Sequence, residues 1–451
     1  VDRASETHGV PCYSPNDFQI MPLRVGAVPG YVESCRWRLR NRQRNSSHSD
    51  TRTQSRMVWR IWLQAELENV TLTNQDVVEL TAWRRKLHQH PEISNEEEKT
   101  AEEVVNFLAD TGPDKVLTGL GGHGVAIVYD SGKAGPTVMF RSELDALPIH
   151  EVSGVSHSSL VPGKSHMCGH DGHTAILAAM GRQLGRKRPA HGRVVLMFQP
   201  AEETGNGAAG VVVDPRFGGI APDLAFSLHN LPGVPFGEVR VKAGVVNCAS
   251  RGMRIVLEGK TAHSSMPETG VSPMMAVSQL MPALPALGNG TFADDEFGMV
   301  TVTHVTMGEA VFGIAPGNAE VWATLRTRRD ERMADLCAAA ETLVKKIAGQ
   351  QRLSARYDYH EIFVASVNAP DAVEHLQRAL NEEGIAHGED DLPMRASEDF
   401  GLFGHSAASA MFFLGAGEQH PALHNPDYDF PDDLIPIGSR IFMRTARNIL
   451  D

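Results

Sequence analysis

The alternation of apolar and polar positions becomes regular from about residue 76. Val77, Leu80, Trp83 and Leu87 recur at helical spacing, and Pro91 stops that helix. A second helix follows, with Ser94 and Glu97 spaced as a capping box, Ala101, Val104, Val105 and Leu108 on its apolar face, and Gly112 at its end. Short apolar runs at 125–129, 137–140, 194–198 and 224–228 then read as buried strands, with a helix over 171–184 among them. This alternation is the pattern of an α/β domain. From about 249 to 361 the order changes to strand (253–257), helix (273–287), strands (299–306 and 319–327), helix (331–348) and strand (355–360), which predicts an α+β unit inserted into the first. A helix near 372–383, a strand near 410–414 and a helix from about 436 return the chain to the α/β domain.

A length of 451 residues suits two or three domains, and 42% hydrophobic with 22% charged residues is an ordinary globular composition. The net charge of -13 argues against a nucleic-acid partner, which clustered Lys and Arg would bind. The longest apolar stretch, 272–288, is interrupted by Gln279, Pro282 and Pro285, so no membrane span is expected. Five scattered cysteines are an odd number and do not resemble a disulfide scaffold; a reducing, cytoplasmic setting is expected. Cys337 falls on an apolar helical stripe with Met333, Leu336 and Ala340 and reads as a core thiol. The first 60 residues carry ten Arg, no Lys and five acidic residues. Residues 1–70 are therefore expected to be an atypical extension, either a targeting or disordered tail or a non-native upstream segment with Met57 as a candidate start.

Two phosphate-loop patterns carry no weight. Gly119, Gly121 and Gly124 lead into a strand and predict a turn, and Gly163-Lys164-Ser165 lacks the earlier glycine and the preceding strand. The informative residues are Glu143 and Asp145, Cys168 and His170, Glu202 and Glu203, and His229. Apart from the Cys/His loop, each group follows a predicted strand, and carboxyl ends of strands line the crevice of an open α/β sheet. Each residue alone has a plain structural explanation: a satisfied core histidine, a helix-capping glutamate, a small buried thiol. Together they are the ligand types of zinc and similar metals, and the clustered carboxylates would repel without a cation.

RRKLHQHPEIS (84–94), FRSELDALP (140–148), MCGHDGHTA (167–175), FQPAEE (198–203), TAHSSMPETG (261–270), SEDF (397–400) and LHNPDYDF (423–430) resemble the metal-dependent amidohydrolase branch of the aminoacylase/carboxypeptidase superfamily. That branch includes hippurate hydrolases, indole-acetyl-amino-acid hydrolases and N-acetyl-diaminopimelate deacetylases. The resemblance spans about 76–451. It implies an α/β, zinc-peptidase-like catalytic domain with a central mixed sheet (71–248 and 362–451) and an inserted α+β, ferredoxin-like lid and dimerisation domain (249–361). It also implies that Cys168, His170, Glu203, His229 and His424 hold two divalent ions (Zn, Mn, Co or Ni), with Asp145 and His173 orienting those ligands. Glu202 would be the general acid/base, and His263 would meet the substrate and its oxyanion, in dimeric members across the subunit interface. The implied reaction is hydrolysis of the amide bond of small N-acyl amino acids by a metal-activated water, in a homodimer or higher oligomer. The chain departs from the family pattern at Gly313, where an Asn is usual, and at Glu268, where a His is often found. Other readings are a dipeptidase or carboxypeptidase, an inactive metal-binding homologue, or a Cys168/His170 nucleophilic hydrolase.

Overall fold

The computed structural model describes residues 71–451. The expectations for residues 1–70, and for Cys12 and Cys35, lie outside the described residues. Helix α1 (Asn74–Gln89) opens on a reciprocal cap between Thr73 and Asp76 and buries Leu80, Trp83 and Leu87. Helix α2 (Glu98–Leu108) starts later than its spacing suggests. Ser94 does not cap it: its hydroxyl donates to Asp145 at 2.7 Å, and Glu97 turns inward to accept from the Ala201 N–H at 2.7 Å. Tertiary partners outcompete the local cap at both residues.

The chain then forms β1 (Lys115–Leu120), β2 (Gly124–Asp130), β3 (Thr137–Glu143), helix α3 (His170–Arg186), β4 (Arg193–Gln199), helix α4 (Gly207–Val213), β5 (Leu224–Pro232), β6 (Val239–Arg240) and β7 (Gly244–Asn247). Next come β8 (Ala249–Glu258), β9 (Ala262–His263), helix α5 (Met274–Ala283), β10 (Gly298–Met307), β11 (Ile314–Ala315), β12 (Asn318–Thr327), helix α6 (Asp330–Gln350) and β13 (Ser354–Phe363). The last elements are β14 (Ser366–Asn368), helix α7 (Pro370–Glu383), β15 (His387–Gly388), β16 (Ala408–Gly417) and helix α8 (Leu434–Leu450). The expected helix over 273–287 is cut short at Ala283, near the prolines that interrupt its pattern.

The larger sheet is mixed, in the order β1-β2-β4-β3-β5-β16-β6-β15. β4, β3, β5 and β16 run parallel, so their carboxyl ends share one edge. β1 and β2 form an antiparallel hairpin at the glycines that mimic a dinucleotide loop. One face packs on α1, α2, α3, α7 and α8 around Phe140, Phe226, Phe412 and Phe442. The other buries Met139, Met197, Phe400 and Phe403. β10, β12, β8 and β13 form a separate antiparallel sheet, whose core with α5 and α6 includes Ile255, Leu280, Leu325 and the buried thiol Cys337. Among the described residues no helix is long and apolar enough to cross a membrane.

Candidate metal centre and active site

The carboxyl edge of the parallel strands gathers the sequence-derived candidates. β3 and β5 run further than their apolar cores, so Glu143 is the last residue of β3 and His229 lies within β5. Asp145 follows β3, Glu202 and Glu203 follow β4, and His424 lies in the segment after β16. Gly169, φ +90°, turns the chain into α3 and places His170 at its first position. A side chain there would strike Asn230 Oδ1 at 2.5 Å and the Tyr428 hydroxyl at 2.7 Å. Asn230 in turn donates to the Cys168 carbonyl at 3.0 Å and accepts from Tyr428 at 2.5 Å, clamping the Cys-Gly-His loop. Two residues without the freedom of glycine also adopt positive φ here, Ala201 at 50° and His424 at 65°. Backbone held in that region at a cluster of polar groups marks a site whose geometry the surroundings impose.

The cavity, about 290 Å³, is lined by Cys168, Glu202, Glu203, His229 and His424 on one side and by Arg326 on the other. Ligand atoms of Cys168, His170 and His229 lie within 4.8 Å of one another, as do those of Cys168, Glu203 and His424, so Cys168 belongs to both triplets. His170 Nδ1 donates to the Asp145 carbonyl at 2.9 Å and His229 Nδ1 to the Asn230 carbonyl at 2.7 Å, which in the neutral rings leaves both Nε2 atoms as acceptors, that of His229 at the cavity and that of His170 buried among the ligand atoms of Cys168, His229 and Glu203. His229 Nε2 lies 3.4 Å from Cys168 Sγ. His170 Nε2 and Glu203 Oε1 are buried without a hydrogen-bond partner. Most buried polar atoms in proteins are paired, so an unpaired nitrogen and an unpaired oxygen beside the Cys168 sulfur, within one cluster of metal-ligand types, fit metal ions.

Asp145 and His173 stand behind that layer. Asp145 Oδ2 accepts from Ser94 and from the Glu203 N–H at 3.0 Å. His173 Nδ1 donates to Glu143 at 2.6 Å and its Nε2 accepts from the Asn230 N–H at 3.1 Å, so both ring nitrogens are used. His263 is not brought to the cavity of its own chain. It sits exposed on β9, with Nδ1 2.7 Å from the Ser265 hydroxyl.

Charge explains the strain of the arrangement. Burial, with Glu203 and Glu202 beside it, pushes the Cys168 thiol well above its usual range. Burial and the neighbouring Glu398 and Glu203 likewise push Glu202 well above the carboxylate range, against the pull of Arg141. His170 rises to about 10 because Asp145 and Glu143 outweigh the burial that disfavours its cation, whereas burial and His173 bring His229 down to about 3. A cation placed among these groups would favour both thiolate and carboxylate.

Sequence reasoning passed over Arg141, Glu398 and Asn230. The Arg141 guanidinium is buried and pairs with Glu143, with Glu398 at 2.9 Å and with Asp399 at 2.6 Å. Glu398 and Asp399 flank Glu202, with carboxylate oxygens within 4.8 Å of one another. Arg141 and Glu398 lie in the FRSELDALP and SEDF motifs, where the signal was present but blended with core positions.

A model of Peptidase family M20/M25/M40 matches residues 139–448. The chain belongs to that family. It is a metal-dependent amidohydrolase, and its donor set fits the two divalent ions of such enzymes. Among relatives of this M20 hydrolase, the N-acetyl-L-cysteine deacetylase of Bacillus subtilis is 29% identical over 83% of this chain and 88% of that protein. The hippurate hydrolase of Campylobacter jejuni is 28% identical over 81% of this chain and 95% of that protein. Among solved structures, the Bacillus subtilis YXEP protein, described as a dinuclear metal binding peptidase, superposes with a TM-score of 0.69 at 25% identity, covering 84% of this chain and 99% of that one.

Proposed function

We propose that this M20 hydrolase cleaves the amide bond of small N-acyl amino acids, with Cys168, His170, Glu203, His229 and His424 holding two divalent ions and Glu202 moving the proton. The observation that carries this reading is the clustering of thiol, imidazole and carboxylate ligand atoms within 4.8 Å of one another, with His170 Nε2 and Glu203 Oε1 buried and unpaired among them. Bound there, such ions supply Lewis acidity that polarises the scissile carbonyl and lowers the pKa of the attacking water. Glu202, whose Oε2 lies 3.9 Å from His170 Nε2, takes the proton of that water and returns it to the departing amine. One carboxylate serves both steps because it is regenerated within a turnover. Asp145 fixes the His170 tautomer, and Asn230 fixes those of His173 and His229. One thiol and three imidazoles among five ligands favour Zn, Mn, Co or Ni over Mg or Ca.

His263 serves the substrate oxyanion from a second copy of the chain; its exposure outside its own chain's cavity supports that placement. Residues 71–248 with 362–451 form the catalytic domain and 249–361 the lid, a division supported by the separate core of the smaller sheet. Elemental analysis and assay of a panel of N-acyl amino acids, before and after chelation, test the reading together. About two equivalents of metal and activity that chelation removes and metal restores are expected. Activity indifferent to complete metal removal would overturn it and favour the Cys168 nucleophile.

A further inference from the structure

The smaller sheet is covered on one face only. α5 and α6 pack where Met253, Ile255, Ala323 and Leu325 point, and the alternate side chains of each strand point away from that core. Across this open face, Gly252 of β8 stands between His360 and Thr324, one row of side chains lacking its middle member. The next row is Asp358, Arg254 and Trp322, and the row on the other side brings Ser250 beside Arg326. Gly252 is not needed for a left-handed backbone, but an added Cβ would crowd the His360 carbonyl at 3.2 Å, beside the bulge of β13 between His360 and Phe363. Glycine within a strand marks a bulge or the close approach of a ligand or another backbone; here it accommodates the β13 backbone and in doing so leaves a notch in the open face.

A cavity of about 380 Å³ lies over this notch, walled by Arg254, Thr303, Trp322, Thr324 and His360. It shares the lining residues Thr324 and Glu361 with the cavity at the candidate metal centre, so the two adjoin along the sheet. Trp322 is 44% exposed, yet its orientation is held: the indole N–H donates to Glu320 at 3.1 Å, and His304 meets the ring edge-on at 5.2 Å. Between notch and metal ligands stands Arg326. It donates to the Arg395 carbonyl at 3.1 Å and the Ser397 hydroxyl at 2.8 Å and pairs with no carboxylate among the described residues. A guanidinium so placed suits the free carboxylate of an N-acyl amino acid. From Arg326 to the notch is one step of two residues along the strands, roughly 7 Å, which a long side chain on the adjacent Cα spans.

We propose that the notch over Gly252 is the subsite for the side chain of the released amino acid, and that it selects large apolar or aromatic side chains laid against Trp322. The assignment rests on the hydrolase reading above. The test is kcat/KM of the metal-loaded full chain on N-acetyl-glycine, N-acetyl-leucine and N-acetyl-phenylalanine, with N-benzoyl-glycine to vary the acyl side. Trp322→Ala and Gly252→Ala should each lower the phenylalanine-to-glycine ratio of kcat/KM about tenfold, chiefly through KM. A ratio within about twofold of wild type in both variants, or a loss falling on the benzoyl-to-acetyl ratio instead, overturns it. Absence of turnover on every substrate would instead sink the hydrolase reading. Calorimetric titration of N-acetyl-phenylalanine then judges the subsite, and equal affinity in wild type and Trp322→Ala would overturn it.

Discussion

In the proposed reaction Glu202 concentrates the chemistry in one side chain. Its carboxylate faces His170 across the cavity, with Glu398 and Asp399 behind it, and takes no part in the proposed ligand set. Glutamine keeps its shape and removes its ability to exchange a proton, so Glu202→Gln should retain both ions while kcat falls by about 10² to 10⁴. Metal content by elemental analysis and turnover of an N-acyl amino acid check the two halves separately. A variant that keeps its metal and turns over within about tenfold of wild type would remove Glu202 from the proton relay. At this scale the sequence was most informative for residues whose chemistry is unusual where they stand. Cys168, His170 and the Glu202–Glu203 pair are conspicuous beside apolar strands. His424 is not: it lies in a polar segment, and only the resemblance of LHNPDYDF pointed to it. Arg141 and Glu398 lie inside two of the resembling motifs, but their pairing is not legible there, because burial next to opposite charge is a property of three-dimensional packing.

Elements far apart in sequence are locked together by buried charge. Arg84 of α1 donates to Asp429 at 2.7 Å, Asp171 at 3.2 Å, Asp432 at 2.8 Å and the Phe430 carbonyl at 2.7 Å, tying that helix to the start of α3 and to the segment after His424. His88, one turn on, lies 2.9 Å from Asp171 and 3.3 Å from Glu151. Burial works against its cation, but these two carboxylates raise His88 to about 9. A folded pKa above the unfolded value of about 6.5 contributes stability that is complete below 6.5 and lost as pH rises through 9, on the order of 3 kcal/mol. Thermal unfolding of metal-loaded wild type and His88→Gln should therefore show a gap in Tm that is wide at pH 6 and closes towards pH 10. A gap independent of pH would mean that folding does not shift the His88 pKa, and one that narrows towards pH 6 would mean that His88 is held neutral in the fold. The network also explains which elements could be read in advance. Long helices and strands with a regular apolar period appear where that period places them, whereas β1, exposed along most of its length, and the two-residue strands β6, β9, β11 and β15 have too little periodicity to announce themselves. The misplaced start of α2 has the same origin, since Ser94 and Glu97 match a cap locally but serve the active site globally.

The whole molecule poses a question that one chain does not answer within itself. The catalytic cavity draws on both sheets, with Arg326 and Thr324 of the smaller one facing Cys168 and Glu203. Yet His263, also on the inserted segment, is exposed and outside that cavity. The exposed apolar side chains of this segment, Met266, Met274, Met275, Phe312 and Ile314, lie on or near the same hairpin and α5. If His263 acts in the cavity of a second copy, loss of Glu202 and loss of His263 damage different sites of one dimer. Glu202→Gln and His263→Ala chains, each nearly inactive alone, should then recover activity when mixed and allowed to exchange subunits. Each hybrid dimer carries one site in which both residues are intact, so random exchange of equal amounts restores roughly a quarter of wild-type activity. Light scattering on the same samples fixes the oligomeric state. Mixtures that stay as inactive as their parents, in a dimer shown to exchange, would place His263 in its own chain's site or outside catalysis altogether.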